Sequence, residues 1–314
     1  MRFMTRFCAL ASLALAVWSP LPATAQDGYP TKPIRLVVPV PPGGAADGMA
    51  RMVAEHLQAK WGQPVVVDNK PGAGSSVGMS LVAKAPADGY TLGLGNIAAN
   101  AINPALQPKA FSYQAVKDFS AISLIGVTPL VLVVNADKVP AKTLAEFVAY
   151  LKANPGKVNY ASPGNGTPFH LSGELFKAQT GTSMVHVPYK GAAPAVADLL
   201  AGQVQLLFDN IPNVLPHIRA GKLRAIGSLG ERRTSLAPDI PTLAEQGLPG
   251  YDAGGWFVLG APAGTPMEII RRINAATVAA LAQPEVRERT IASGNEPISS
   301  TPEELGSFIR NELA

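Results

Sequence analysis

The sequence predicts an α/β protein of two α/β domains with a ligand cleft between them. Three observations carry this. First, a strand, a glycine loop and a helix follow one another over residues 34–52 (IRLVVPVPPGGAADGMARM). Second, short apolar runs alternate with amphipathic helical patterns through most of the chain, the signature of a sheet covered by helices on both faces. Third, a second α/β series begins after residues 124–134, and the chain then returns to the first.

In chain order, residues 1–25 read as a Sec-type signal peptide. Arg2 and Arg6 make a basic start, an apolar core follows up to Trp18, and Ala23-Thr24-Ala25 is a small-x-small cleavage site. The apolar run is too short for a membrane anchor and ends at Pro20 and Pro22. The location expected is therefore the periplasm. The one cysteine, Cys8, falls in the leader, so the mature chain has no disulfide or thiol chemistry. Removing 25 residues from 314 leaves 289, enough for two ordinary domains. The leader holds two of the 26 basic residues and none of the 22 acidic ones, so the mature charge is 24 − 22 = +2. Such a charge gives no footprint for nucleic acid, and no Lys/Arg cluster with interleaved aromatics occurs.

The mature chain opens with a strand over 34–38, apolar and β-branched. Pro39 to Gly44 ends it, since no helix runs through Pro-x-Pro-Pro-Gly-Gly. A helix starts near Asp47 and presents Ala50, Val53, Leu57 and Trp61 on one face. Gly43 and Gly44 lack a Cβ, so an anion can approach the backbone N–H groups at the helix start. A plain tight turn is the alternative. A strand at 65–67, a loop at 68–74, a helix at 76–84 and a strand at 91–95 follow. A proline-broken β run covers 124–134, and a helix 144–153.

The second series has strands at 158–161, 184–187, 205–208 and 223–228, with helices at 169–180, 192–201 and 211–220. Its loop SPGNGTP places Ser162, Gly166 and Thr167 before a helix that carries His170. This is a second cup of backbone donors, or simply a helix cap with Thr167 capping and Pro168 at the first position. Tyr189, Lys190 and Gly191 form a third loop. Helices at 266–282, 284–293 and 302–313 end the chain. Domain 1 is thus expected over 26–125 and 231–314, and domain 2 over 126–230. Interdomain clefts beyond strand carboxyl ends are where α/β proteins bind ligands.

Enzyme chemistry finds little support. No phosphate-binding G-x-x-x-x-G-K-[ST] occurs, and no complete G-x-G-x-x-G. Tyr160 spoils the G-x-S-x-G pattern around Ser162. The histidines His56, His170, His186 and His217 lack H-E-x-x-H spacing, so neither a metal nor a cofactor is expected. The pair His170 and Glu174 at i,i+4 reads as an ordinary helix contact. A secreted hydrolase using Ser162 and His170 remains the enzyme alternative.

Across nearly the whole mature chain the sequence resembles the Bug-type periplasmic solute-binding proteins, the receptors of tripartite tricarboxylate transporters. The blocks that carry this are YPTKPIRLVVPVPPGGAADGMAR, VVVDNKPGAGSSVG, AKAPADGYTL, NPGKVNYASPGNGTPFHLSGELF, HVPYKGAAPAVADLLAGQVQLLFDN, IRAGKLRAIG, PDIPTLAEQGLPGY and GAPAGTP. Val40 departs from the family's usual Phe, Thr167-Pro168 from Ser-x, and Ala87-Asp88 from Pro-Asp. The resemblance implies a type II periplasmic-binding-protein fold and a small carboxylate-bearing ligand held between the domains. By position, Gly43, Gly44 and Asp47 would line one wall, and Ser162, Gly166, Thr167 and His170 the other. Tyr189, Lys190, Gly191 and Asp209 would lie near the ligand. The implied partners are the membrane permease subunits of the transporter. A monomer is expected, acting in transport or as a ligand sensor for a signalling receptor.

Overall fold

The computed structural model describes residues 28–107 and 111–313. The signal-peptide reading of residues 1–25 lies outside the described residues.

The first sheet begins with β1 (Ile34–Val38), α1 (Ala45–Trp61), β2 (Val65–Asn69), α2 (Ser76–Ala83) and β3 (Thr91–Asn96). A π-helical turn (Ala98–Ile102), α3 (Asn103–Leu106) and β4 (Phe119–Thr128) follow. The chain crosses at Pro129 into β5 (Leu130–Asn135), α4 (Leu144–Ala153), β6 (Asn159–Ser162) and α5 (Pro168–Thr180). It continues through β7 (Val185–Pro188), α6 (Ala192–Leu200), β8 (Leu206–Asn210), α7 (Ile211–Arg219) and β9 (Leu223–Ser228). It then returns as β10 (Gly255–Pro262), α8 (Met267–Leu281), α9 (Pro284–Ala292) and α10 (Pro302–Glu312).

Two five-stranded sheets result, in the orders β2-β1-β3-β10-β4 and β7-β6-β8-β5-β9. Both are mixed. β10 runs antiparallel between β3 and β4, and β5 antiparallel between β8 and β9. The reason is the crossing. Strands of each sheet point their carboxyl ends at the cleft. A strand that arrives from the other domain enters from the cleft and runs the opposite way.

The elements form where burial demands them. β1 shows no in-out alternation: it buries Ile34, Leu36, Val37 and Val38, because helices cover both sheet faces. α1 buries Met49, Ala50, Val53 and Leu57, and Gly62 stops it in the left-handed conformation at φ 65° with its N–H on the Gln58 carbonyl. In the second sheet Leu132, Tyr160, Phe176 and Phe208 share a core on one face, and Val131, Val133 and Leu207 share one on the other.

The structure departs from the sequence reading in two places. The sequence reading has no strand at β10; its run GWFVLGAP carries two glycines and a terminal proline, which read as loop. The return to the first domain, expected at residue 231, comes only at β10. Leu229, Leu243 and Tyr251 pack into the core of the second sheet, and the Leu243 N–H donates to the Ser228 carbonyl at 2.9 Å. Apolar side chains separated by loop residues leave no periodic pattern in this segment, so its partner sheet could not be read locally.

Candidate functional site

A cavity of about 230 Å³ opens where the two sheets face each other. Its first wall holds Val40, Ala45 and Ala46 at the start of α1, and Asn96 to Ala98 at the end of β3. Its second wall holds Pro168 and Phe169 at the start of α5, and Asn210 at the start of α7. The floor is made by the crossings themselves: Thr128 and Leu130 on one side, Gly255, Trp256 and Phe257 on the other.

The α1 loop owes its shape to Asp47. This residue is 3% exposed. Its carboxylate accepts from the Gly43 N–H at 2.9 Å, from Arg51 Nε at 2.9 Å and from Asn69 Nδ2 at 2.8 Å. Asn69 Nδ2 also donates to the Val40 carbonyl at 3.0 Å. Burial pushes the Asp47 carboxyl up, but the bonds from Arg51, Gly43 and Asn69 together outweigh it and hold it at about 2. Asp47 and Gly43 therefore serve the loop. Gly44 caps α1 with no side-chain bond, and the first intrahelical bond runs from the Gly48 N–H to the Gly44 carbonyl at 2.9 Å. The N–H groups of Ala45, Ala46 and Asp47 precede that bond, so they have no intrahelical partner. Such N–H groups, with the positive end of the helix dipole behind them, are of the kind that can hold an anion.

The second loop is closed on itself. Ser162 Oγ lies 3.0 Å from the Gly164 carbonyl and 2.7 Å from His186 Nε2. The Gly166 N–H donates to His170 Nδ1 at 3.1 Å. Thr167 Oγ1 donates to the Gly164 carbonyl at 2.8 Å and accepts from the His170 N–H at 3.4 Å, which makes it the cap of α5. The His170 and His186 rings stack with centroids 4.0 Å apart. Burial, with the neighbouring His170, keeps His186 below its ordinary value. The Ser162 and Thr167 hydroxyls and the N–H groups of Gly164, Gly166 and His170 are thus engaged inside the loop.

The remaining candidates are arranged around these. Tyr189 donates to Asp198 at 2.8 Å. Its phenol is pushed up to about 12 by burial and by that carboxylate. Lys190 is exposed. Gly191 caps α6 at φ 110°, and its N–H donates to the Pro163 carbonyl at 3.3 Å. Asp209 is fully buried. One of its oxygens accepts from the Asn210 N–H at 2.7 Å and from Asn213 at 3.0 Å. Burial raises its carboxyl above the ordinary range, and those bonds only partly offset this. Asp209 Oδ2 and Asn210 Oδ1 have no partner among the described residues.

The cavity is lined by the neighbours of the residues that the sequence singled out: Ala45 and Ala46 beside Gly44, Phe169 beside His170, and Asn210 beside Asp209. The motif picked the loops. Which side chains face inward depends on helix phase. Trp256 and Phe257 had no signal, because β10 itself was unread.

The hydrolase alternative fails on geometry. Ser162 faces His186, not His170, and is fully buried, so no acyl group reaches its Oγ. Among the described residues no cluster of metal-ligating side chains is found, and no helix is long and apolar enough to cross a membrane.

Comparison with known proteins places this architecture. Residues 49–314 match the family described as tripartite tricarboxylate transporter family receptor. Protein BugT of Bordetella pertussis is 41% identical over 311 residues, covering 99% of this chain and 95% of that one. A solved R. palustris protein with adipate is 35% identical, covers 91% of this chain and 95% of that one, and superposes with a TM-score of 0.73. A ligand-free TctC solute-binding protein from Polaromonas is 28% identical, covers 91% and 96%, and superposes with a TM-score of 0.83.

Proposed function

Because the chain belongs to the receptor family of the tripartite tricarboxylate transporters, a family of periplasmic solute-binding receptors and not of enzymes, we propose that it captures a small carboxylate between its two sheets and closes over it for delivery to the membrane subunits. One observation carries this reading: the unpartnered N–H groups at the start of α1 open onto a cavity whose walls come from both domains. A carboxylate there gains charge-assisted hydrogen bonds and the helix dipole without any cationic side chain.

In this reading Gly44 is the point of closest approach, and Gly43 and Asp47 hold the seat. Ser162, Gly166, Thr167 and His170 hold the α5 loop in shape. Tyr189, Lys190 and Gly191 edge the cleft beside them, and Asp209 positions Asn210. The receptor acts as a monomer, released to the periplasm by cleavage near Ala25, which N-terminal sequencing of the exported protein tests.

Closure is the functional motion. The two sheets are joined at Pro129 and between residues 253 and 255, short extended links that can absorb φ/ψ change. Small-angle scattering with and without saturating ligand tests this, paired with mass spectrometry of the recovered ligand. A smaller radius of gyration and an intact ligand are expected. A chemically altered ligand would defeat the receptor reading. A thermal-shift screen finds the ligand, since 100 times its Kd adds about 2.7 kcal/mol of stability.

A further inference from the structure

We propose that the chain carries a second ligand site, outside the cleft, in a cavity between the first sheet and α10. It takes a small one-ring aromatic acid, with the acid group at Arg310 and an oxygen acceptor at Asn100.

The cavity measures about 210 Å³ and lies over β3, β10 and β4, between α2 and α10. Protein interiors are otherwise close-packed, with few voids larger than a water. An apolar void of about 150 Å³ takes benzene, so this one has room for a substituted ring. It separates two apolar clusters, one around Met79 and Phe119 and the other around Val258, Leu305 and Ile309. All five side chains line it. A thioether beside a phenyl ring suits an aromatic guest.

Two glycines keep the space open. Gly306 sits inside α10, where glycine weakens a helix. A Cβ there would meet only Arg310 Nη1 at 3.5 Å, an ordinary contact. Gly260 in β10 is alike: a Cβ would meet only the Ser120 carbonyl at 3.5 Å. Neither has a left-handed φ. Backbone and packing both allow a side chain at these positions, and either side chain would take room from the cavity.

The polar groups stand at opposite ends. Among the described residues that line the cavity, Arg310 alone is charged. It and Val116 are the exposed members of the lining, so they mark the mouth. Arg310 Nη2 donates to Ser307 at 2.9 Å, which leaves most of its N–H groups for an anion. Asn100 lies deep, at 2% exposed. Its Oδ1 accepts from the Asn96 N–H at 3.1 Å. Its Nδ2 has no partner among the described residues and, unlike the Asn210 oxygen, is not sealed off. An oxygen on the inner end of a ligand would satisfy it.

This site and the cleft share no lining residue. They lie along one strand: Trp256 and Phe257 of β10 floor the cleft, and Val258 and Gly260 line the second cavity.

The test is calorimetry on the purified protein with 4-hydroxyphenylacetate, phenylacetate and 4-hydroxyphenylacetamide. The first is expected to bind more tightly than phenylacetate, which lacks the inner oxygen. It is expected to bind about 10-fold more tightly than the amide, which makes no charge-assisted bond to Arg310. Three variants locate the binding, each checked for folding by circular dichroism. Gly306→Leu is expected to abolish it, because the side chain fills the mouth. Arg310→Gln is expected to bring the acid level with the amide. Gly44→Val, in the cleft, is expected to leave it unchanged. Binding that survives Gly306→Leu but not Gly44→Val would put the probe in the cleft and overturn the inference. Binding unchanged in Gly306→Leu and in Arg310→Gln would overturn it too, as would no binding of any of the three probes. Equal affinity for 4-hydroxyphenylacetate and phenylacetate would remove Asn100 from the site.

Discussion

The Thr234 hydroxyl donates to Glu296 Oε1 at 2.5 Å, and this bond ties the two domains together beside the hinge. The Ser235 N–H and hydroxyl donate to the same oxygen, the hydroxyl at 2.9 Å. Glu296 is itself bridged to Val127 through both backbone groups, at 3.0 and 2.8 Å, two residues before the Pro129 crossing. Thr234 belongs to the segment that packs on the second sheet. Glu296→Ala strands these donors, and hydrogen bonds to a charged group contribute about 1.5–3 kcal/mol. A loss of that size is expected in urea denaturation, with partial recovery in Glu296→Gln. An unchanged midpoint would show that the tie is idle.

Asp47 sets an acid limit on the α1 loop. Its carboxyl titrates at about 2 in the folded protein, below the ordinary 3.8. A group whose folded value is depressed contributes stability above its unfolded value and loses it as pH falls through the folded one. The contribution is thus complete above about pH 4 and gone near pH 2. At neutral pH it is about 1–2 kcal/mol, trimmed by screening at the half-exposed Arg51. Asp47→Asn should be destabilised by that amount at pH 7 and lose the extra acid sensitivity between pH 4 and 2. Parallel acid profiles for variant and parent would refute the assignment.

Gly44→Val tests the anion seat. Gly44 has φ −88° and ψ 176°, which any residue adopts, and an added Cβ meets nothing within 4 Å. The variant should fold, at a cost of about 1 kcal/mol for the poorer cap. Its methyl groups would occupy the approach to the N–H groups. Affinity is expected to drop by about 1.5–3 kcal/mol, the size of charge-assisted bonds. Unchanged affinity in calorimetry would remove Gly44 from the site.

Thr167→Ala separates capping from ligand contact. The hydroxyl already donates to Gly164 and accepts from His170. The expected result is about 1 kcal/mol of stability lost, with ligand affinity nearly unchanged. An affinity loss as large as that of Gly44→Val would mean that the hydroxyl turns to the ligand on closure.

Which parts were legible follows from range. β1 and α1 carry their own signals: a continuous apolar run, a 3.6-residue stripe and Gly62 as stop. The glycine loops at Gly43–Gly44 and Ser162–Thr167 are legible for the same reason, since turn chemistry is local. β10 is not, because Gly255, Gly260 and Pro262 read as loop. It is a strand only because β3 and β4 lie on either side to take its hydrogen bonds.

The sequence by itself determined the α/β class, the alternation of elements, the glycine loops at helix starts and the poverty of catalytic groups. Each rests on contacts within a few residues, where side-chain period and backbone freedom act directly. Only the tertiary structure decided which donors are spent. Asp47 takes the Gly43 N–H, His170 takes the Gly166 N–H and Thr167 takes the His170 N–H, while the start of α1 has no side-chain cap. It also decided that Leu130, Phe169 and Trp256 meet across the cleft, although Leu130 and Trp256 are more than a hundred residues apart in sequence. A hydrogen-bond donor looks the same in sequence whether free or taken. What distinguishes the two is the partner that folding brings to it.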